Sequence, residues 1–187
     1  DQTLWAWGAN LSGAFGIGTL NSSATPVRIA TGTSWKSIAT GSAHSLALKT
    51  NGTLWAWGNN ADGRLGDGTF TNQLVPKQIG TSTDWVSIYT TANSNFAIKA
   101  NGTLWFWGQN YSGQSGLGFV SACVLLPTQV GTDTDWKTIG AVSSHTLALK
   151  NNNTLWSWGN NTEGQLGNDF FLGSYLFPIQ IGTDTNW

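Results

Sequence analysis

The sequence predicts an all-β protein of the β-propeller type, built from about three and a half copies of one four-stranded unit. Three observations carry this reading. Trp5, Trp55, Trp105 and Trp156 lie 50, 50 and 51 residues apart, and Trp35, Trp85, Trp136 and Trp187 lie 50, 51 and 51 apart. Pro26, Pro76, Pro127 and Pro178 follow the same spacing. A repeat of this period marks solenoids and propellers. Within a period the apolar residues alternate in steps of two, the step of a strand, and no stretch has helical periodicity. Asn-Gly turns, which tolerate the positive φ of a tight hairpin, separate the runs.

The elements follow in order in the second copy. WKSIATG (35–41) is the first strand and HSLALKT (44–50) the second, joined by a short turn at Gly41. NGT (51–53) is a hairpin turn, and LWAWG (54–58) is the third strand. NNADGRLGDGT (59–69) is a loop, and the fourth strand starts at Pro76 in PKQIGT (76–81). An outer edge suits that proline, because its missing N–H does least harm there.

Residues two apart share a face of a strand. Trp55 and Trp57 thus oppose Leu54 and Ala56, and Leu46 and Leu48 oppose Ser45 and Ala47. Phe96 and Ile98 oppose Asn95 and Ala97, and Leu147 and Leu149 oppose Thr146 and Ala148. Large faces set against small ones interdigitate at close-packed density, and neighbouring sheets cover each other's wet faces. Trp5, Trp7, Trp55, Trp57, Trp105, Trp107, Trp156 and Trp158 are therefore expected in the core, each burying about 150–250 Å². Residues 1–187 form one domain, with units at approximately 1–34 (partial), 35–84, 85–135 and 136–186.

Composition excludes several function classes. The 187 residues include 24 Gly, 12 Trp and no Met, and only 9% are charged, with a formal net charge of −1. Ordinary chains carry roughly 25% charged residues, so Asn, Thr, Ser and Gln must solvate this surface. Single, scattered Lys and Arg make no basic patch, so nucleic acid is not an expected partner. No apolar run approaches the roughly 20 residues of a membrane span. Cys123 is the only cysteine and reads as a small buried hydrophobe. Seven N-x-[ST] sequons sit mainly in repeated turns, where Asn has a backbone reason to be.

The segment GSAHSLALKTNGTLWAWGNNADGRLGDGT (41–69) matches three ordered motifs almost throughout, and SSHTLALKNNNTLWSWGNNTEGQLGN (143–168) does nearly as well. These are a G-x-x-H-[ST]-L-A-L strand, a [LV]-[WY]-x-W-G strand and an N-x-x-G-Q-L-G-x-G loop. They resemble the repeat of the family named after the regulator of chromosome condensation, over the whole chain. The near-identity of the copies resembles bacterial, secreted members, which implies an extracellular or cell-surface location and leaves the cytoplasm open. The resemblance implies a seven-bladed propeller whose loops bind proteins, and a structural hydrogen-bonding role for His44 and His145. Members include an exchange factor for a small GTPase, a β-lactamase inhibitor and a plant ultraviolet photoreceptor. The chain departs from the family in carrying four copies of the third and fourth strands but three of the first and second. A fragment of a longer chain is the preferred account, and self-association of several copies the second.

Catalytic and metal chemistry find little support. His44 and His145 occupy the same repeat position, with Ser94 between them, in units that are not adjacent. Asp62 and Asp67 suggest a calcium loop, yet the matching positions are Ser12 and Ile17, Ser112 and Leu117, and Glu163 and Asn168. Asp84, Asp133, Asp135 and Asp184 are variations on one turn that enters the Trp strand. No G-x-S-x-G, Walker or dinucleotide motif occurs, so the expectation is a non-enzyme with no cofactor and no metal. The positions matching the photoreceptor's G-W-R-H-[ST] motif read GSAHS (41–45) and AVSSHT (141–146), with neither Trp nor Arg.

The copies differ most before the fourth-strand proline. TLNSSAT (19–25) and TFTNQLV (69–75) are polar, whereas FVSACVLL (119–126) and FFLGSYLF (170–177) are apolar. Phe119, Val120, Leu125, Phe170, Phe171, Leu172, Tyr175 and Phe177 are thus candidates for a protein-binding patch, weighed against packing on a neighbouring blade. The expected partner is another protein or further copies or segments of the same chain. A carbohydrate-binding, lectin-like propeller is the first alternative. An exchange-factor scaffold is the second, disfavoured because the constant period leaves no room for a wedge.

Overall fold

The computed structural model describes residues 2–29, 34–171 and 173–187. Its regular structure is all strand. The first sheet pairs β1 (Trp5–Gly8) with β2 (Ser23–Arg28). The second is a meander of β3 (Trp35–Thr40), β4 (His44–Lys49), β5 (Leu54–Gly58) and β6 (Gln73–Gln78). The third repeats it as β7 (Trp85–Thr90), β8 (Ser94–Lys99), β9 (Leu104–Asn110) and β10 (Ser121–Gln129). The fourth comprises β11 (Trp136–Ala141), β12 (His145–Lys150), β13 (Leu155–Asn160) and β14 (Ser174–Ile181). All neighbours are antiparallel, and among the described residues no helix is long and apolar enough to cross a membrane.

The seams between sheets are the core. Leu46, Leu48, Leu54 and Ala56 of the second sheet meet Trp85, Ala97 and Trp107 of the third. Phe96, Ile98, Leu104 and Phe106 of the third meet Trp136, Ile139, Ala148 and Trp158 of the fourth. Ile29 and Ile17 of the first unit pack with Trp35, Ala47 and Trp57 of the second sheet. Each seam thus closes a face that one sheet alone would leave wet, as the alternation predicts.

Polar latches tie the units together. The indole N–H of Trp57 donates to the Ala14 carbonyl (2.8 Å), that of Trp107 to Arg64 (3.1 Å) and that of Trp158 to Gln114 (2.8 Å). The same three carbonyls accept from Ser45, Asn95 and Thr146. Inside each loop a buried asparagine holds the turn. Asn60 accepts from the Leu65 N–H (2.9 Å) and donates to the Thr69 carbonyl (2.9 Å). Asn10, Asn110 and Asn161 repeat this pairing. At the hairpins, Asn51 accepts from Thr53, whose hydroxyl accepts from the Trp55 indole (2.9 Å), and 101–105 and 152–156 do the same. The repeated N-x-T is thus a hydrogen-bonded turn.

The prolines lie on the outer edge strands as expected, but inside them rather than at their start. Pro76 lies inside β6, which begins at Gln73, in the gap between the Ala56↔Lys77 and Gly58↔Gln73 pairs. Pro26, Pro127 and Pro178 occupy the same irregularity of their strands. A residue without an N–H fits a bulge as well as a strand start, because the ladder is already interrupted there.

Candidate interaction surface

The fourth-strand approach is where the predicted patch falls, though much of it is strand. Ser121–Gln129 and Ser174–Ile181 are β10 and β14, so among the described candidates Phe119, Val120, Phe170 and Phe171 lie on the connecting turns. Those four and Phe177 are exposed. Tyr175 is half-buried opposite Gly159, and Leu172 lies outside the described residues. Leu125 belongs to a seam: its Cδ2 would stand 2.4 Å from a Cβ placed on Gly63 of the preceding unit, so that glycine makes room for it. Leu74 and Leu176 do the same against Gly13 and Gly113. Phe177 leans on Gly118 in the same way while keeping an open outer side.

The exposed residues form a ladder wider than the sequence suggested. Leu20, Phe70, Val120 and Phe171 stand at one repeat position, and Val75, Leu126 and Phe177 at another, and all seven are exposed. Leu20 and Phe70 were hidden by polar neighbours and are found by alignment on the buried asparagines, whereas Val75 and Leu126 are found by alignment on the prolines that follow them. The ladder's footing is rigid. Backbone N–H groups of Gly18, Gly68 and Gly118 donate to the carbonyls of Leu74, Leu125 and Leu176 in the next unit, at 2.8, 3.1 and 2.8 Å.

The Asp67 carboxylate beside the ladder is neutralised. Asp67 bonds Lys77 at 2.7 Å. Partial burial would raise its carboxyl, but hydrogen bonds from Lys77, Thr69 and Asn60 outweigh this and hold it at about 2. Burial, with Asp62 adding to it, pushes the Cys123 thiol up, which favours its protonated form. At the opposite hairpin end Lys49, Lys99 and Lys150 each lie over two indoles, at 4.0–4.9 Å from the ring centres. Lys99 pairs with Asp84, and Lys150 with Asp133 and Asp135, so those carboxylates anchor cations.

The eight paired tryptophans of the third strands divide into three groups. Trp57, Trp107 and Trp158 are fully buried, while Trp55, Trp105 and Trp156 are half-buried beside the lysines. Trp5 and Trp7 are exposed, not core, because among the described residues no sheet stands against the outer face of β1. They border a cleft of ≈ 430 Å³ against Ile38, Thr40 and His44.

His44 is buried and its Nε2 lies 2.7 Å from Asn95 Oδ1 in the next sheet. Asn95 spends its amide on the Arg64 carbonyl, so its oxygen is the acceptor and His44 carries the proton on Nε2. Burial lowers the His44 pKa to about 4, against the smaller upward pull of that bond. A depressed histidine contributes stability that is complete above its unfolded value near 6.5 and is lost as pH falls towards 4. The loss across that window is on the order of 3 kcal/mol. His44→Ser, the residue of the sister position Ser94, is expected to flatten it, as read from thermal midpoints at pH 7.5 and pH 5. His145, half-buried, is also lowered by burial but has no such partner. Among the described residues no three His, Cys, Asp or Glu gather as a metal site.

The Regulator of chromosome condensation (RCC1) repeat matches residues 1–48, 51–98 and 101–149, and a second form of it matches 35–64 and 136–165. No curated protein matches the sequence significantly. Among solved structures, Prp20p from Saccharomyces cerevisiae, described with its binding to Gsp1p and histones, is 22% identical with a TM-score of 0.82. The match covers 98% of this chain and 47% of that one. Human WBSCR16 is 23% identical with a TM-score of 0.81, covering 97% and 49%. Yeast RCC1 (Prp20) bound to Kap60 is 23% identical with a TM-score of 0.84, covering 98% and 46%. The chain spans less than half the length of each, and at these identities the likeness establishes the fold.

Proposed function

Because the chain belongs to the Regulator of chromosome condensation (RCC1) repeat family, we propose that it is a non-enzymatic propeller module whose apolar rim binds another protein. The observation that carries this reading is the ladder of seven exposed hydrophobic residues on hydrogen-bonded footings. Soluble surfaces seldom expose so regular an apolar row without a partner. Its widest part is Phe119, Val120, Phe170, Phe171 and Phe177, where aromatic side chains supply area at low entropic cost. Relatives of this fold are described with protein partners, namely Gsp1p, histones and Kap60, which supports protein as the class of ligand. Sugar stacking on every blade is not favoured, since Trp57, Trp107 and Trp158 are sealed in seams.

Phe171→Ser combined with Phe177→Ser is expected to abolish co-purification of the partner while shifting the melting temperature little. Both side chains are exposed, and surface changes usually stay within about 0.5 kcal/mol. Glycan-array binding that survives this double variant, with no protein partner lost, would replace the reading with a carbohydrate-binding one.

A further inference from the structure

The seam between the second and third sheets buries a titratable ring beside a buried cation. His44 opens β4, and its ring lies against Gly41, where a Cβ would stand 2.1 Å from Cε1. Its Nε2 donates across the seam to Asn95 Oδ1 (2.7 Å), and the Asn95 amide donates back to the Arg64 carbonyl (2.7 Å). The Trp107 indole ends on that same carbonyl, so ring, amide and indole share one path through the seam. Two buried nitrogens beside this path, His44 Nδ1 and Arg64 Nε, have no hydrogen-bond partner among the described residues.

The next seam lacks this pair. Gln114 holds the place of Arg64, and its amide is satisfied by the Ser143 carbonyl (3.1 Å). Ser94 holds the place of His44 and bonds Thr91 within its own turn (2.9 Å). Around His44 charges are few. β5, the turn 90–93 and the loop 9–22 carry none. Lys36 of β3 and Lys49 of β4 stand at the far ends of their strands, and Lys99 of β8 is likewise distant and paired with Asp84. Tyr89 of β7 bonds Thr138 (3.3 Å). The ions facing the ring are thus Arg64 and its partner Asp62, both from the long loop.

A proton on Nδ1 would add a second cation facing Arg64 and a donor without an acceptor, both inside a packed joint. Opening the seam removes each cost, since the ring, the guanidinium and their idle nitrogens then meet water. We propose that acid loosens this seam ahead of the next one, so that it works as a proton-operated hinge between the second and third sheets. The bond from the Gly68 N–H to the Leu125 carbonyl crosses the same joint, so opening also parts Phe70 from Leu126 on the rim. The hinge stands whether or not the rim holds a partner. With the closed ring at about 4 and the open one near 6.5, the opening constant rises about twentyfold between pH 7 and pH 5.

Thiol labelling with dithiodipyridine, which reacts in mild acid, reads the two seams separately. In a Cys123→Ser background, Ala97→Cys places the thiol in the hinge seam and Ala148→Cys in the next one, since both alanines are buried there at the same repeat position. Each rate is divided by that of a free cysteine peptide at the same pH. The Ala97→Cys rate should rise about twentyfold from pH 7 to pH 5, while the Ala148→Cys rate changes little. Adding His44→Ser should abolish the rise. His44→Gln, which keeps a donor towards Asn95 and takes no proton, serves if that variant does not fold. Equal acceleration of both thiols would mean global acid unfolding and would overturn the proposal. An Ala97→Cys rate that stays flat, or a rise that survives loss of the histidine, would overturn it too.

Discussion

Replacing Trp107 with alanine is expected to cost about 3–5 kcal/mol of stability, the range for truncating a buried aromatic. Its ring is fully buried among Leu46, Leu48, Leu54 and Leu65, and the seam around it can collapse only as far as two twisted sheets allow. The lost indole bond adds less, because the Arg64 carbonyl keeps the Asn95 amide at 2.7 Å. Trp7→Ala, at the same repeat position but exposed, is expected to fall within about 0.5 kcal/mol of the parent. Guanidinium unfolding followed by tryptophan emission separates the two. In a quasi-linear array the loss of one interface also uncouples its neighbours, so the Trp107→Ala curve should broaden or split where the parent curve is steeper.

Gly102→Ala carries the second large effect, best read against Gly80→Ala. Both glycines have positive φ, +77 and +63, a backbone that costs an alanine roughly 1–2 kcal/mol. At Gly80 the added methyl meets nothing within 4 Å, whereas at Gly102 it would stand 1.9 Å from the Thr134 carbonyl oxygen. That oxygen is main chain beside Trp136, whose N–H donates to the Gly102 carbonyl (3.2 Å), so relief of the clash must move a seam strand. Gly102→Ala is therefore expected to exceed Gly80→Ala by about 1–3 kcal/mol, the usual cost of overpacking. Equal midpoint shifts for the two would show that the hairpin yields freely.

Much of this fold was legible in the sequence because a propeller unit is local: strand period, turn chemistry and order all lie within fifty residues. The faces of Leu46 and Trp57 followed from alternation alone. What stayed hidden depends on neighbours in space. DQTLWAWG and NGTLWAWG are nearly the same words, yet Trp7 is exposed and Trp57 buried, because burial belongs to a pair of sheets and periodicity describes one. Leu125 read as a loop hydrophobe because its partner is the bare backbone of Gly63, sixty-two positions earlier. The candidate surface was half legible. Phe170 and Phe171 stand out against a polar average, whereas Phe70 and Leu20 do not, although they hold equivalent places. The structural role of His44 followed from the family resemblance, but its acceptor is Asn95, a residue that polarity alone would not single out.

The carbonyl latches bear on what counts as one unit. Sequence divides the chain at each first-strand tryptophan, but Ala14, Arg64 and Gln114 belong by number to one copy and by bonding to the next. The stretch that comes apart together is thus offset from the stretch that repeats: it takes its long loop from one copy and its buried indole from the following one. Deleting residues 35–84 would remove Trp57 from Ala14 and Arg64 from Trp107 together, leaving the Ala14 carbonyl and the Trp107 indole as complementary halves of one latch. Whole periods can therefore be excised at a joint, whereas a deletion of half a period strands one half of a latch.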